Sequence, residues 1–174
     1  YSKEDTWNVG VSLRSWPELN TKRLKQLAQF LIKLTQDSQR PVQFILLPFQ
    51  QPHDNEVLKT FQSILASENI TNCKWVDDTD IIEGLASCHI LFGMRYHCLM
   101  LSILLDIPIY GLIYDPKVRS LLKTFNLNGI DLPLIEYLDE EAVCLYFDKY
   151  PTPNLEEIQA QANLNFQRIQ DTIK

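Results

Sequence analysis

Three runs in this chain are apolar at nearly every position: Val42-Gln43-Phe44-Ile45-Leu46-Leu47, His89-Ile90-Leu91-Phe92 and Pro108-Ile109-Tyr110-Gly111-Leu112-Ile113. A strand with one face in water alternates apolar and polar residues, so a short run without that alternation suits a strand covered on both faces. Pro41 and Pro48 bracket the first run. Between the runs the apolar period changes to that of a helix. Leu24, Leu27, Leu31 and Leu34 share one face of a helix expected over 19–36, and Leu58, Phe61 and Leu65 share one face of another. Strands and helices that alternate in this way predict an α/β fold: a Rossmann-like parallel sheet with helices on both faces. At 174 residues the chain is expected to form a single domain.

The remaining elements follow the same rule. Trp7 to Leu13 reads as the first strand, with Val9, Val11 and Leu13 on one face. Asp54 is placed to cap the helix that follows the second strand. Cys73-Lys74-Trp75-Val76 is a short third strand, and Thr79 a cap for a helix burying Ile82 and Leu85. After the strand at His89–Phe92, Gly93 is read as a turn. A helix over 95–105 is apolar nearly all round and is expected to be buried. Pro116 suits the first turn of a helix that buries Val118, Leu121, Leu122 and Phe125, and Asp139 caps another through Phe147. Residues 1–6 read as a polar linker. Pro151 and Pro153 set off a last amphipathic helix over 153–174, with Asn154 and Glu157 as its capping box.

Right-handed crossovers give the expected strand order 3-2-1-4-5, which makes the first and fourth strands neighbours. In such sheets ligands bind beyond the carboxyl ends of the strands, where the order reverses. Arg14, Pro48, Arg95 and Tyr114 each follow the end of a strand, so one edge should collect them. The most informative stretch is Phe92-Gly93-Met94-Arg95-Tyr96-His97, a buried strand running into a helix start. Such a start carries free N–H groups and the positive end of the helix dipole. With Arg95 and His97 beside it, the edge suits a phosphate or carboxylate. Arg14, His53, Tyr114 and Lys117 complete the candidate set of substrate-binding residues, and Arg95 and His97 are also the candidate catalytic pair. Each has a plainer reading. Arg14 and Lys117 are ordinary solvated cations, Arg95 is an ion-pair partner, His97 is a core histidine, and Asp54 beside His53 is a helix cap.

Composition removes several classes. Sixteen Lys and Arg against 22 Asp and Glu leave a net charge of -6, the wrong sign for a surface that coats nucleic acid. No run is long and apolar enough to cross a bilayer, and no signal-peptide pattern is present. Cys73, Cys88, Cys98 and Cys144 show no C-x-x-C spacing, which suits reduced thiols and a cytoplasmic location. Cys88-His89 and His97-Cys98 are adjacent pairs, and adjacent residues on a strand point to opposite faces, so no metal site is expected. The five glycines form no G-x-G-x-x-G, which weakens any dinucleotide reading, and no cofactor is expected.

The strings Gly10-Val11-Ser12-Leu13-Arg14, Phe44-Ile45-Leu46-Leu47-Pro48-Phe49, Phe92-Gly93-Met94-Arg95-Tyr96-His97 and Tyr114-Asp115-Pro116-Lys117-Val118 together resemble the polysaccharide pyruvyl transferase family, over Val9 to Leu127. The resemblance implies the C-terminal, donor-binding domain of a two-domain GT-B-like fold, with the N-terminal domain of the same polypeptide absent from this chain. It also implies transfer of a pyruvyl group from phosphoenolpyruvate to two hydroxyls of a saccharide acceptor. The products would be a cyclic ketal and phosphate, in cell-wall or exopolysaccharide biosynthesis. The family's R-x-H pair falls on Arg95 and His97, and its basic donor contacts suggest Arg14. Tyr96 stands where leucine is usual, a departure of little expected consequence. The missing N-terminal half should supply much of the acceptor site, so the isolated domain is not expected to turn over alone.

Two rival readings share the architecture. A nucleotide-sugar-dependent GT-B glycosyltransferase domain would offer an acid to a ribose, for which Asp115 and Glu136 are the candidates. A non-catalytic relative would keep the fold as a scaffold or regulatory module.

Overall fold

The computed structural model of the chain describes residues 6–36, 38 and 40–151. All but Thr6 of the expected linker at 1–6, and the expected helix at 153–174, lie outside the described residues. Within them the order is β1 (Trp7–Ser12), α1 (Thr21–Gln36), β2 (Val42–Leu46), α2 (Asn55–Ser67), β3 (Cys73–Trp75), α3 (Ile81–Ala86), β4 (Ile90–Gly93), α4 (Tyr96–Leu104), β5 (Ile109–Ile113), α5 (Pro116–Thr124), β6 (Gly129–Asp131) and α6 (Glu140–Asp148). Short 3-10 turns at Asp78–Asp80 and Leu132–Tyr137 lead into α3 and towards α6.

The sheet is parallel throughout and ordered β3-β2-β1-β4-β5-β6. The expected order holds, with one strand added at the edge. β1 and β4 are neighbours, with Val11 opposite Phe92 and Ser12 opposite Gly93. Chain connections leave β1 towards β2 on one side and β4 towards β5 on the other, so the switch point lies between β1 and β4.

Two apolar cores flank the sheet, because successive strand residues point to opposite faces. Val9, Val11, Phe44, Leu46, Ile90 and Phe92 pack with α1 and α2 on one face. Ile45, Leu47, Leu91, Ile109 and Ile113 pack with α4 and α5 on the other. Phe44, Phe61 and Phe92 are among the largest fully buried side chains.

Several expectations need correction. α1 begins at Thr21 rather than Leu19, because the Asn20 side chain accepts a hydrogen bond from the Arg23 N–H at 3.1 Å and caps the helix there. Asp80, not Thr79, precedes α3, and Ile82 is exposed while Leu85 is fully buried. Gly93 is the last residue of β4 rather than a turn, and no glycine has a positive φ. Its lack of a side chain serves packing: a Cβ there would come within 2.9 Å of Leu99 Cδ2. Helix α4 buries Cys98, Leu99, Ser102 and Ile103, yet leaves Leu104 exposed, so it is covered on one side only.

Candidate functional site

β1, β2, β4 and β5 all release the chain at the same edge, and the loops and helix starts that follow them carry the six candidate side chains. Two adjoining cavities lie there, of about 540 and 450 Å3. Arg14, Gln50 and Arg95 line both. His53 lines the larger, while His97, Tyr114 and Lys117 line the smaller. The run-ends therefore converge on one cleft, as strand order and the edge rule require.

Arg14 leaves β1 and lies against two aromatic rings. Its guanidinium carbon is 5.3 Å from the Trp16 ring centre and 5.0 Å from that of Tyr114. Nη1 donates to the Tyr114 hydroxyl at 3.0 Å. The two rings meet edge to face with centroids 4.9 Å apart. A flat cation held this way is fixed in plane before any ligand arrives. Its Nε is buried and has no hydrogen-bond partner among the described residues. A buried donor without an acceptor is uncommon, and one beside a cleft suits an anionic ligand. The plain reading of Arg14 as a solvated surface arginine does not describe this geometry.

Arg95 has a fixed partner. The carboxylate of Asp54 accepts from Arg95 Nε at 3.0 and 3.2 Å, and also from Nη2. Asp54 is fully buried and Arg95 is 14% exposed. Asp54 Oδ2 further accepts from the Gln50 N–H at 2.9 Å. Asp54 immediately precedes α2, yet its side chain caps nothing there, which corrects the cap expected from sequence. The ion-pair reading of Arg95 is thus correct as a contact. It leaves Nη1 with no acceptor among the described residues, on a side chain that still lines both cavities.

Arg95 is also the residue before α4, in extended conformation and with no side-chain cap. The first turn of α4 therefore keeps unpaired N–H groups at the positive end of its dipole. His97 lies in that turn, exposed rather than sealed in the core, with its ring edge to face with Tyr96 at 5.7 Å. Lys117 lies in the first turn of α5 and is exposed. Phe49, Tyr96 and Leu101 give the smaller cavity an apolar wall. Cys98 is in the same turn as His97, but complete burial pushes its thiol far up, so it is no nucleophile. Among the described residues no three His, Cys, Asp or Glu side chains group as a metal site, and no helix is long and apolar enough to cross a membrane.

Four residues in or behind the site escape a reading of the sequence: Asp54 as the partner of Arg95, Trp16 as a ring against Arg14, and Gln50 and Glu56 on the cavity surface. Aromatic character beside a strand end was a usable signal for Trp16. Nothing local marks the other three. Of the acids weighed for a ribose, Asp115 caps α5 through the Lys117 N–H at 2.8 Å. Glu136 sits on a different surface, 3.6 Å from Lys22 and accepting from Gln26.

Fold and cleft together define a doubly wound α/β domain that presents fixed cations at its switch point. Residues 2–116 match the family model described as "Polysaccharide pyruvyl transferase". The chain belongs to the polysaccharide pyruvyl transferase family. No curated protein matches it in sequence. Among solved structures it is similar to the UDP-GlcNAc 2-epimerase of Methanocaldococcus jannaschii in complex with UDP-GlcNAc and UDP. The TM-score is 0.61 at 13% identity, over 94% of this chain and 46% of that one. The UDP-GlcNAc 2-epimerase of Neisseria meningitidis bound to UDP-GlcNAc gives 0.60 at 13%, over 94% and 46%. S. aureus MnaA with UDP gives 0.59 at 11%, over 83% and 38%. At these identities the likeness establishes the Rossmann-like fold. This chain spans less than half the length of each of these structures.

Proposed function

We propose that this domain binds phosphoenolpyruvate at the switch-point cleft as the donor half of a polysaccharide pyruvyl transferase. A preceding domain of the same polypeptide completes the GT-B-like enzyme and supplies much of the saccharide site. The products belong to cell-wall or exopolysaccharide biosynthesis, in the cytoplasm. The observation that carries this reading is the convergence of Arg14, Arg95, His97 and Lys117 on a cavity of about 450 Å3 beside an uncapped helix start. Phosphoenolpyruvate is small and carries a carboxylate and a phosphate. Planar guanidinium groups match both by paired N–H donors.

The chemistry follows from charge. Arg14 and Arg95 hold the donor's oxygens. Lys117 and the α4 N-terminus add positive potential for the phosphate. His97 contacts the phosphate or delivers a proton to the methylene carbon, and positive charge then develops at the neighbouring carbon. A sugar hydroxyl attacks that carbon. Phosphate departs, and a second hydroxyl closes the ketal.

The test is ligand-dependent thermal stability. Phosphoenolpyruvate at a hundredfold excess over its Kd should raise Tm by about 5 °C or more. Arg95→Ala and His97→Ala should abolish that rise. If both variants keep it, the donor binds elsewhere. A rise with uridine diphosphate and none with phosphoenolpyruvate would favour the nucleotide-sugar reading instead.

A further inference from the structure

The two cavities share three residues and differ in everything else. The smaller lobe is cationic and partly apolar, with His97, Lys117, Phe49, Tyr96 and Leu101. The larger lobe carries Ser15, His53 and Glu56 besides the shared side chains. A hydroxyl, an imidazole, a carboxylate and the Gln50 amide together form a set of donors and acceptors suited to neutral polyols. They suit a trianionic donor poorly, because Glu56 would repel it at close range.

Resting on the donor reading above, we infer that the larger lobe receives the acceptor's hydroxyls and that Glu56 is the general base for their attack. Glu56 is exposed in the first turn of α2 and forms no ion pair among the described residues. Its plainer role is to complement the α2 dipole. That role needs no cavity, whereas Glu56 lines the one that Arg14 and Arg95 also line. A donor held in the smaller lobe by those arginines would present its reacting carbon towards the larger one. The hydroxyl oxygen bonds to that carbon and its proton passes to Glu56. The methylene carbon has gained one proton, and the bond from the reacting carbon to the phosphate oxygen then breaks. The second hydroxyl forms the other C–O bond. The diol has lost two protons, the new methyl group has taken one, and the departing hydrogen phosphate has taken the other.

Two measurements test this. The first follows the backbone amide resonances of the chain during titration with phosphoenolpyruvate. The expected result is large shifts at Tyr96, His97 and Lys117 and small ones at His53 and Glu56. Equal shifts in both lobes would overturn the partition while leaving the donor reading intact, and no shift anywhere would strike the donor reading itself. The second uses Glu56→Gln in the full-length polypeptide. Phosphate release in the presence of acceptor should fall about a hundredfold or more. Phosphoenolpyruvate binding and thermal stability should stay at wild-type levels. Turnover at the wild-type rate, or a loss explained by lower stability, would overturn Glu56 as the base.

Discussion

Asp54 and Asp115 stand in the same sequence position, one residue before a helix that starts at the cleft, and they do opposite things. Asp115 turns back on α5 and accepts the Lys117 N–H at 2.8 Å. Asp54 leaves α2 uncapped, is fully buried, and gives its carboxylate to Arg95 and to the Gln50 N–H. Arg95 is itself the residue before α4. Two helix-start residues from separate loops therefore neutralise each other, and α2 and α4 both start with no side-chain cap. A cap serves its own helix. This pair serves the cleft, because it fixes one of the two guanidinium groups that both cavities share.

The difference has measurable size. Asp54→Asn removes the charge that balances a guanidinium only 14% exposed. Breaking such a pair should lower unfolding free energy by about 3 kcal/mol. It should also weaken phosphoenolpyruvate binding, because Arg95 loses its fixed edge. Urea denaturation and donor titration of the same variant check both effects. A variant with wild-type stability and affinity would reduce Asp54 to an ordinary cap-position acid.

Asp115→Ala should cost about 1 kcal/mol, the usual loss for a single N-cap. Its effect on donor binding should be small, and equal losses of binding in the two variants would erase the contrast. A third effect vanishes at neutral pH and concerns two buried thiols. Burial pushes Cys88 up to about 12 from 9.0, partly offset by the charge of Lys74, and pushes Cys98 higher still. As pH rises from 9.0 towards 12, the unfolded chain loses thiol protons that the folded chain keeps. Stability should therefore be unaffected by these groups below pH 9 and fall above it. Denaturation at pH 8 and above pH 10 reads the slope, which Cys88→Ala should make shallower.

How much of this was legible depended on range. The order of the first five strands could be read because Val42–Leu47 and Ile109–Ile113 are apolar on both faces, and the handedness rule leaves few alternatives. β6 could not. Gly129-Ile130-Asp131 has one apolar residue, and its strand state comes from the free edge of β5, with Leu112 opposite Ile130. The gathering of Arg14, His53, Arg95, His97, Tyr114 and Lys117 followed from topology alone. The fate of Asp54 did not, since its partner lies 41 residues away and nothing near Asp54 distinguishes it from Asp115. Glu56 was hidden for the same reason, as one more acid in a first helical turn.

The Asp54–Arg95 bond also crosses the seam where the two halves of the sheet part, since α2 follows β2 and α4 follows β4. It acts as a staple over that seam. The walls of the crevice cannot spread to admit a bulkier guest without breaking this charge-assisted pair. Its gauge is thus set at folding rather than by the visitor, and sealing the chamber falls to whatever approaches from above its mouth.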